Sequence, residues 1–482
     1  SRSPKNAPEV LLPQEEQEQQ EMAQLKAMIN GLSEKKPAPG AAAPTRTAQA
    51  EETAPAAQPE TAPERKKEES GTPLPAAPVI AADGDFNPDF LAETADYVNG
   101  RFSFRLEGIT AWAKLNAALF RTSTAENVLL GRDGWLFYAP TIHDYTGDAP
   151  MTARELYCTA RTLYLLQEYA ENRGGDFLFT AAPNKNTLYP EYMPARTRLG
   201  SVSDMDALYA LLDEMGVSYL DLRDVFSQEA EPLYFKTDSH WNAKGAALAA
   251  DALLAALGRE SNYFSGTVSA GNTHRGDLYE MLYPAGKELE EDFTYAPGFS
   301  FTTNTDNPDR VTITTESGVG TGALLCYRDS FGRNLYPYLA ESFASAEFSR
   351  RNEYTAATLP GDGTLVIELV ERNLRYLVEY DSLAPAPERD ASLVETAALG
   401  DGRTVLTESA GTEGYALFSG TWDGVTPDDA SNVYVLSGGA LYEAVPRPDG
   451  FIVSLPDGST IDAVYAAAGG NFSRLSAVYA ID

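Results

Sequence analysis

The stretch ALLCYRDSFGRNLYPYL, Ala323 to Leu339, decides how this 482-residue chain is read. It opens as a buried strand, passes through a tight polar turn at Arg328-Asp329-Ser330, and after Gly332 continues as a helix. GTLVIELV (Gly363–Val370) then supplies another apolar strand. A strand feeding a helix and then a further strand is the repeating unit of a parallel sheet covered on both faces.

The same alternation extends upstream. ARELYCTARTLYLLQEYAENRGG (Ala153–Gly175) reads as a helix ending in glycine, and DFLFTAAP (Asp176–Pro183) as a buried strand. SDMDALYALLDEMG (Ser203–Gly216) is a helix opened by a Ser-Asp cap, VSYLDL (Val217–Leu222) a strand, and AKGAALAADALLAALG (Ala243–Gly258) a helix. Residues 83 to about 120 read as helices. The texture changes after about residue 380. RTVLTE, YALFSG, SNVYVLSG, FIVSLP and STIDAVYA are short alternating runs split by Gly, Asp and Pro, which predicts an all-β accessory module over 380–482, sandwich-like in form. At the other end, residues 1–82 are rich in Pro, Ala, Glu and Thr, and are expected to be a disordered stalk. Met22, Leu25, Ile29 and Leu32 within it mark one short amphipathic helix.

Charge narrows the function classes. The net charge is −33; the first 82 residues carry 9 basic against 12 acidic side chains, and the remaining 400 carry 28 against 58. The acidity therefore belongs to the folded part. Such a surface repels nucleic acid and fits poorly with a strongly anionic polymer unless a groove is locally basic. Cys158 and Cys326 do not make a disulfide framework, and both have apolar or aromatic neighbours, as buried free thiols do. No Cys/His cluster stands at ligand spacing, so neither a metal nor a cofactor is expected. No apolar run reaches the roughly 18 residues of a membrane span. The opening residues, SRSPKN, resemble the start of a trimmed chain, which leaves room for a lost leader or anchor.

Chemistry is concentrated in two places. LYFKTDSHWNAKGA (Leu233–Ala246) holds one of only three histidines. In an extended segment Asp238 and His240 project to one side, so the carboxylate can accept the Nδ1 hydrogen and leave Nε2 free as a base. Asn242 is placed to cap the helix that follows. The bland alternative is a histidine satisfying a hydrogen bond at a strand end. Ser330 is the second place, at the carboxyl end of a parallel strand where open α/β sheets put their ligands, with a helix start supplying N–H groups for an oxyanion. Its bland alternative is a helix cap. The order Asp…His…Ser is no objection, since triads are defined by geometry.

These motifs resemble the SGNH-hydrolase-like proteins of the AlgX/AlgJ type, the alginate O-acetyltransferases and their relatives, among them the bacterial DHHW proteins. TDSHWNAKGA and YRDSFG carry the likeness, with VLLGRDGWLFY (Val128–Tyr138), PNKNTLYPEYMP (Pro183–Pro194) and HRGDLYEML (His274–Leu282) in the expected order. The likeness spans about 85–378 and makes 83–379 an expected SGNH-hydrolase-like α/β domain. Ser239 stands where the DHHW subgroup has histidine, which blurs the subgroup. The resemblance implies Ser330 as nucleophile, His240 as base and Asp238 as its orienter. Candidate substrate contacts are Asn184, Lys185 and Asn186, any of which could supply a side-chain oxyanion donor, with Arg328 and Arg333 flanking the nucleophile and Trp241 beside the base. His143 is read as a surface-loop residue, and Asp277, near His274, as structural support.

The function expected from this is exported acyl transfer: O-acetylation of a cell-surface or secreted polysaccharide, at an extracytoplasmic site tethered through a missing N-terminal segment. A glycan acceptor and a membrane-bound O-acyltransferase donating acetyl groups are the partners the resemblance implies. A carbohydrate acetylesterase, or a non-catalytic glycan-binding scaffold of the same fold, are the alternatives. In the last case Ser330 and His240 should lie out of hydrogen-bond reach. Tyr380, Trp422, Tyr434 and Tyr442 of the β module are read chiefly as packing residues, with a sugar-stacking platform as the functional option.

Overall fold

A computed structural model describes residues 105–195, 202–296 and 298–480, together with two short paired strands at Ala81–Ala82 and Asp85–Phe86. The expected stalk and its short helix lie outside the described residues, as does most of the segment 83–104. In chain order, helix α1 (Arg105–Phe120) is followed by the hairpin β1 (Val128–Leu130) and β2 (Leu136–Tyr138). Then come α2 (Ala153–Asn172), β3 (Phe177–Ala182), α3 (Asp204–Met215), β4 (Tyr219–Asp221) and α4 (Ala243–Ala256). A second hairpin, β5 (Thr267–His274) and β6 (Glu290–Ala296), encloses α5 (Asp277–Leu282). The remaining elements of the α/β part are β7 (Thr302–Thr303), β8 (Thr312–Glu316), β9 (Ala323–Arg328), α6 (Gly332–Ser342), β10 (Ser345–Ser349) and β11 (Thr364–Val370).

The helix boundaries are written in side chains. Thr152 and Ser203 each form a reciprocal capping box, with Glu155 and Asp206, and Gly216 closes α3 in the left-handed conformation. Asn242 caps α4 as its sequence position suggests, its side chain accepting the Gly245 N–H at 3.0 Å.

The strands form one seven-stranded sheet in the order β4-β3-β11-β9-β10-β8-β7. The first five are parallel; β8 and β7 add antiparallel. The sheet is thus mixed, with a parallel heart and an antiparallel edge. Alternate residues of the central strands face opposite cores. Leu178, Leu324, Cys326, Val366 and Val370 pack under α4 and α6, while Phe177, Phe179, Leu325, Tyr327, Leu365 and Ile367 pack under α2 and α3. Both cysteines are buried and free. The carboxyl ends of β3, β9 and β11 lie side by side, and the chain leaves β3 and β9 toward opposite halves of the sheet, which is where this architecture opens a crevice.

The C-terminal module is all-β. It comprises β12 (Glu388–Arg389), β13 (Ala398–Ala410), β14 (Tyr415–Asp423), β15 (Val433–Ser437), β16 (Ala440–Pro446), β17 (Gly450–Pro456), β18 (Ala463–Ala468) and β19 (Asn471–Tyr479). Strands β13 to β19 close on themselves, because β17 pairs with both β14 and β16 and β13 pairs in parallel with β19. The result is a seven-stranded barrel where the alternating runs suggested a sandwich; closure removes the free sheet edges. Tyr434 is buried against Phe472, and Trp422 packs on Phe451 at 5.6 Å, so these two rings belong to the module's own packing. Arg154 of α2 donates to the Ser431 carbonyl at 2.7 Å, and Glu443 of β16 accepts from both Arg161 and Arg389 at 2.7 Å, which ties the barrel to α2.

Candidate active site

The segment Leu233–Asn242 is a tight loop closed by Phe235 N–H to the His240 carbonyl (3.2 Å) and Asn242 N–H to the Leu233 carbonyl (2.9 Å). The extended conformation expected for Asp238 and His240 is therefore not what joins them. Asp238 sits at the loop tip, and its Oδ1 accepts both the His240 backbone N–H at 2.9 Å and the imidazole Nδ1 at 2.7 Å. An Asp accepting from the backbone two residues on is a turn-forming habit of that side chain, here used to seat the ring as well.

Ser330 follows β9. Its neighbour Asp329 pins the turn: Oδ1 accepts the Phe331 N–H at 2.8 Å, and Oδ2 accepts the Val370 N–H at 2.7 Å and the Asn373 side-chain amide at 2.8 Å. Gly332 must be glycine, since a Cβ there would lie 2.6 Å from the Arg328 side chain. The turn delivers Ser330 Oγ to within 2.9 Å of His240 Nε2. Ser330, His240 and Asp238 thus form one continuous hydrogen-bonded chain, and the out-of-reach geometry required by the scaffold alternative is absent. The Ser330 amide takes no backbone partner among the described residues.

Burial and neighbouring charges act on both ionisable groups of this chain in opposite senses. Burial pulls the His240 imidazole toward the neutral form, but the hydrogen bond to Asp238 and the charges of Asp238 and Asp277 outweigh it, so its pKa lies above the ordinary histidine value; the Arg372 guanidinium pulls the other way. Burial pushes Asp238 up, yet the bonds from His240 and His274 hold it well below the usual carboxylate range. Asp238 is therefore the anion and His240 the group that changes charge. Asp238, His240 and Asp277 bring ligand atoms within 4.8 Å of one another; Asp238 Oδ1 is bonded to His240 Nδ1, and Asp277 Oδ2 accepts the Ser239 hydroxyl.

Of the six candidate substrate contacts, five are buried and hydrogen-bonded within the protein. Lys185 is buried, and its ammonium donates to the carbonyls of Leu136 (2.6 Å), Lys236 (2.8 Å) and Asp238 (2.9 Å); burial lowers its pKa to about 7. It ties β2 to the loop that carries Asp238 and His240. Asn186 is committed to Thr141, through its carbonyl at 3.1 Å and its hydroxyl at 2.9 Å. Asn184 is fully buried, its amide donating to Asp144 at 2.8 Å and its backbone N–H to Glu371 at 2.8 Å. Arg328 is 3% exposed and donates to the Pro308 carbonyl at 2.8 Å, so it straps a loop to the sheet. Trp241 is fully buried and donates to the Phe331 carbonyl at 3.1 Å, joining the His240 loop to the Ser330 turn. Arg333 alone stays at the surface, 55% exposed and 3.4 Å from Asp309.

Two residues escaped sequence reasoning. His274 Nε2 lies 2.8 Å from Asp238 Oδ2. It ends β5, whose TVSAGNTH pattern has no apolar period and so gives no strand signal. Arg372, just past β11, lies over the Phe331 and Tyr138 rings at 5.5 and 5.2 Å and makes no ion pair among the described residues. Only its place beyond a central strand could have marked it. His143, read as a loop residue, sits in a short helix and pairs with Asp148 at 2.7 Å. Asp277 does support the site, accepting the Ser239 N–H at 2.8 Å and its hydroxyl at 2.6 Å.

Residues 128–309 match the family model described as the SGNH hydrolase-like domain of acetyltransferase AlgX. That span holds Asp238 and His240, and Ser330 lies beyond it. A Pseudomonas putida protein described as "Probable alginate O-acetylase AlgJ" is 28% identical over 204 residues, which is 40% of this chain and 51% of that protein. The chain spans about half the length of the curated relatives it matches. Among solved structures, PatB1 of Bacillus cereus with a sulfonyl adduct is similar at 18% identity and a TM-score of 0.42, covering 52% of this chain and 98% of that one. The O-acetyltransferase domain of Pseudomonas putida AlgJ is similar at 20% identity and a TM-score of 0.36, covering 52% and 92%. The resemblance read from the five motifs is borne out: over residues 128–309 the chain is similar to the SGNH hydrolase-like domain of acetyltransferase AlgX.

Proposed function

We propose that this protein transfers acetyl groups on a cell-surface or secreted polysaccharide, with Ser330 as nucleophile, His240 as general base and acid, and Asp238 as the carboxylate that orients and charges the base. The observation that carries the reading is the 2.9 Å approach of His240 Nε2 to Ser330 Oγ, with Nδ1 held on Asp238 at 2.7 Å. In the first half-reaction His240 takes the Ser330 hydroxyl proton as Oγ bonds to the acetyl carbonyl carbon. The tetrahedral intermediate expels the donor oxygen, which receives that proton from His240, leaving an acetyl ester on Ser330. In the second, a sugar hydroxyl gives its proton to His240 and attacks the ester carbonyl, and the tetrahedral intermediate releases Ser330 Oγ, which takes that proton back from His240. In this reading the Ser330 N–H, which takes no backbone partner among the described residues, donates to the oxyanion in both.

The likeness to AlgX/AlgJ-type proteins supports transfer to a polysaccharide and an extracytoplasmic location, and the reading takes a membrane-bound O-acyltransferase as the source of acetyl groups. Among the described residues no helix is long and apolar enough to cross a membrane. The test is incubation of the chain with 4-nitrophenyl acetate, with and without oligosaccharide acceptors, beside Ser330→Ala. Nitrophenol release that depends on Ser330, with acetate appearing on the sugar, is the expected result. Release without sugar acetylation by any acceptor would make the protein an esterase, and equal release by Ser330→Ala would end the catalytic reading.

A further inference from the structure

Asp238 accepts four hydrogen bonds, two on each oxygen. Oδ1 serves His240 through its backbone N–H and Nδ1. Oδ2 accepts the Asp277 N–H at 2.9 Å and bonds His274 Nε2 at 2.8 Å. A base-orienting carboxylate needs one such oxygen; here the second is occupied by another imidazole. That imidazole is firmly held. Its ring stacks on Phe235 at 3.7 Å and 10° between planes. Two residues on, a Cβ at Gly276 would lie 2.2 Å from the Thr237 carbonyl oxygen, so the His274–Asp277 segment is pressed against the triad loop itself.

We propose that His274 is a positioning residue for the Ser330–His240–Asp238 site: as a neutral Nε2–H donor it fixes the Asp238 carboxylate, and its protonation turns the base off. The inference rests on the catalytic reading above. When Ser330 attacks, its proton moves to His240 Nε2, and the new imidazolium is stabilised by the Asp238 charge. If His274 is already an imidazolium, that single carboxylate faces two cations and the transition state loses the stabilisation. The active form therefore has both rings neutral. His274 is faced by Asp238 from the triad loop and by Glu290 and Asp292 from β6. His240 is faced by Asp238, by Asp277 from the segment after β5, and by Arg372 from beyond β11. The two rings share one carboxylate, so their protons come off as a coupled pair.

The experiment is the pH dependence of kcat/KM for 4-nitrophenyl acetate with the full chain, comparing wild type, His274→Gln, His274→Phe and Ser330→Ala. In wild type the logarithm of kcat/KM should climb from low pH with a limiting slope of two. In His274→Gln an amide still donates to Oδ2 but does not titrate, so the plateau should stay within about threefold while the slope falls to one. His274→Phe has no donor, and its plateau should fall about 10-fold or more, as for loss of a hydrogen bond to a charged group. Wild-type slope and plateau in both variants would overturn the proposal. Should the Phe variant fail to fold, the slope of the Gln variant decides alone. Undiminished turnover by Ser330→Ala would instead overturn the catalytic reading on which His274 depends, so the two failures are told apart.

Discussion

Asp238→Asn is the substitution whose outcome the geometry constrains most. The side chain keeps its shape but exchanges one acceptor oxygen for a donor amide. With the amide oxygen toward His240, the His240 N–H and Nδ1–H are still accepted, but the NH2 meets the Asp277 N–H and His274. His274 can change tautomer and accept; the Asp277 backbone cannot. With the amide reversed, the NH2 meets the His240 N–H and Nδ1, and the ring must present Nδ1 as acceptor and Nε2–H toward Ser330, which abolishes the base. Either way one backbone N–H faces a donor, at about 1–3 kcal/mol. Loss of the carboxylate charge lowers the basicity of His240 by about 10- to 1,000-fold, and the wrong tautomer in part of the molecules lowers it further. Together these set an expected fall in kcat/KM of about 10²- to 10⁴-fold, in line with what removing a triad carboxylate by amide substitution does elsewhere. Nitrophenyl acetate turnover, measured where circular dichroism shows the variant folded, is the assay. A variant within threefold of wild type, with Ser330→Ala inactive, would refute the reasoning and shift the orienting role to Asp277, whose Oδ2 lies 3.6 Å from His240 Nδ1.

Three further outcomes follow from the same network. Arg372 holds the His240 pKa down, so Arg372→Gln should raise it and move the acid limb of the kcat/KM profile to higher pH; an unmoved limb would separate Arg372 from the base. Glu368, at the middle of the sheet, is fully buried with both carboxyl oxygens unpartnered among the described residues, and burial raises its pKa well above the ordinary value. A raised acid is a stabilising neutral group below its unfolded pKa, and that advantage is lost as pH rises toward the folded one, at about 1.4 kcal/mol per pH unit. Glu368→Gln should therefore flatten the decline of urea-unfolding stability above about pH 4.5, and an unchanged slope would contradict this. Lys185→Met deprives the Asp238 and Leu136 carbonyls of an ammonium donor, while the Lys236 carbonyl keeps the Leu136 N–H. It should cost about 2–4 kcal/mol in urea unfolding and lower turnover by loosening the triad loop; a stable, fully active variant would show the ammonium to be dispensable.

What the chain discloses in sequence is what local rules control. The β9–turn–α6 unit, the Ser-Asp cap of α3 and the Asn242 cap of α4 are set by residues within a few positions of one another, and all three stand as read. Ser330, His240 and Asp238 could be singled out because their types are scarce or placed at strand ends. What could not be read is long-range. Barrel closure depends on the parallel pairing of β13 with β19, which no adjacent hairpin implies. The antiparallel edge depends on β8 pairing back onto β10. Lys185 looked like a loop cation beside a ligand because nothing in PNKNTLY reveals that three carbonyls from β2 and the triad loop converge on it. His274 looked peripheral because β5 exposes both faces and carries no apolar rhythm.

These long-range contacts share a pattern that bears on how the site works. Each member of the Ser330–His240–Asp238 chain is fixed through a neighbour that reaches a different segment. Asp329 fastens the Ser330 turn to the end of β11. Trp241, next to His240, fastens the base to the Phe331 carbonyl beside the nucleophile. Ser239 is held by Asp277, and the Asp238 carbonyl by Lys185. A serine hydroxyl and an imidazole have to sit within a few tenths of an ångström of one geometry for proton transfer to accompany attack, and flexible loops alone do not supply that. Here the precision comes from buried polar bonds between loops, several of them to ionised groups, where each bond is stronger for being out of water. The cost is a cluster of carboxylates, Asp238, Asp277 and Glu290, within reach of two histidines. These carboxylates favour the charged form of both rings. Burial opposes them first, and at His240 the Arg372 guanidinium, which lies over the Phe331 ring and makes no ion pair among the described residues, adds to burial, so the balance of the three fixes how far the His240 pKa stands above its ordinary value.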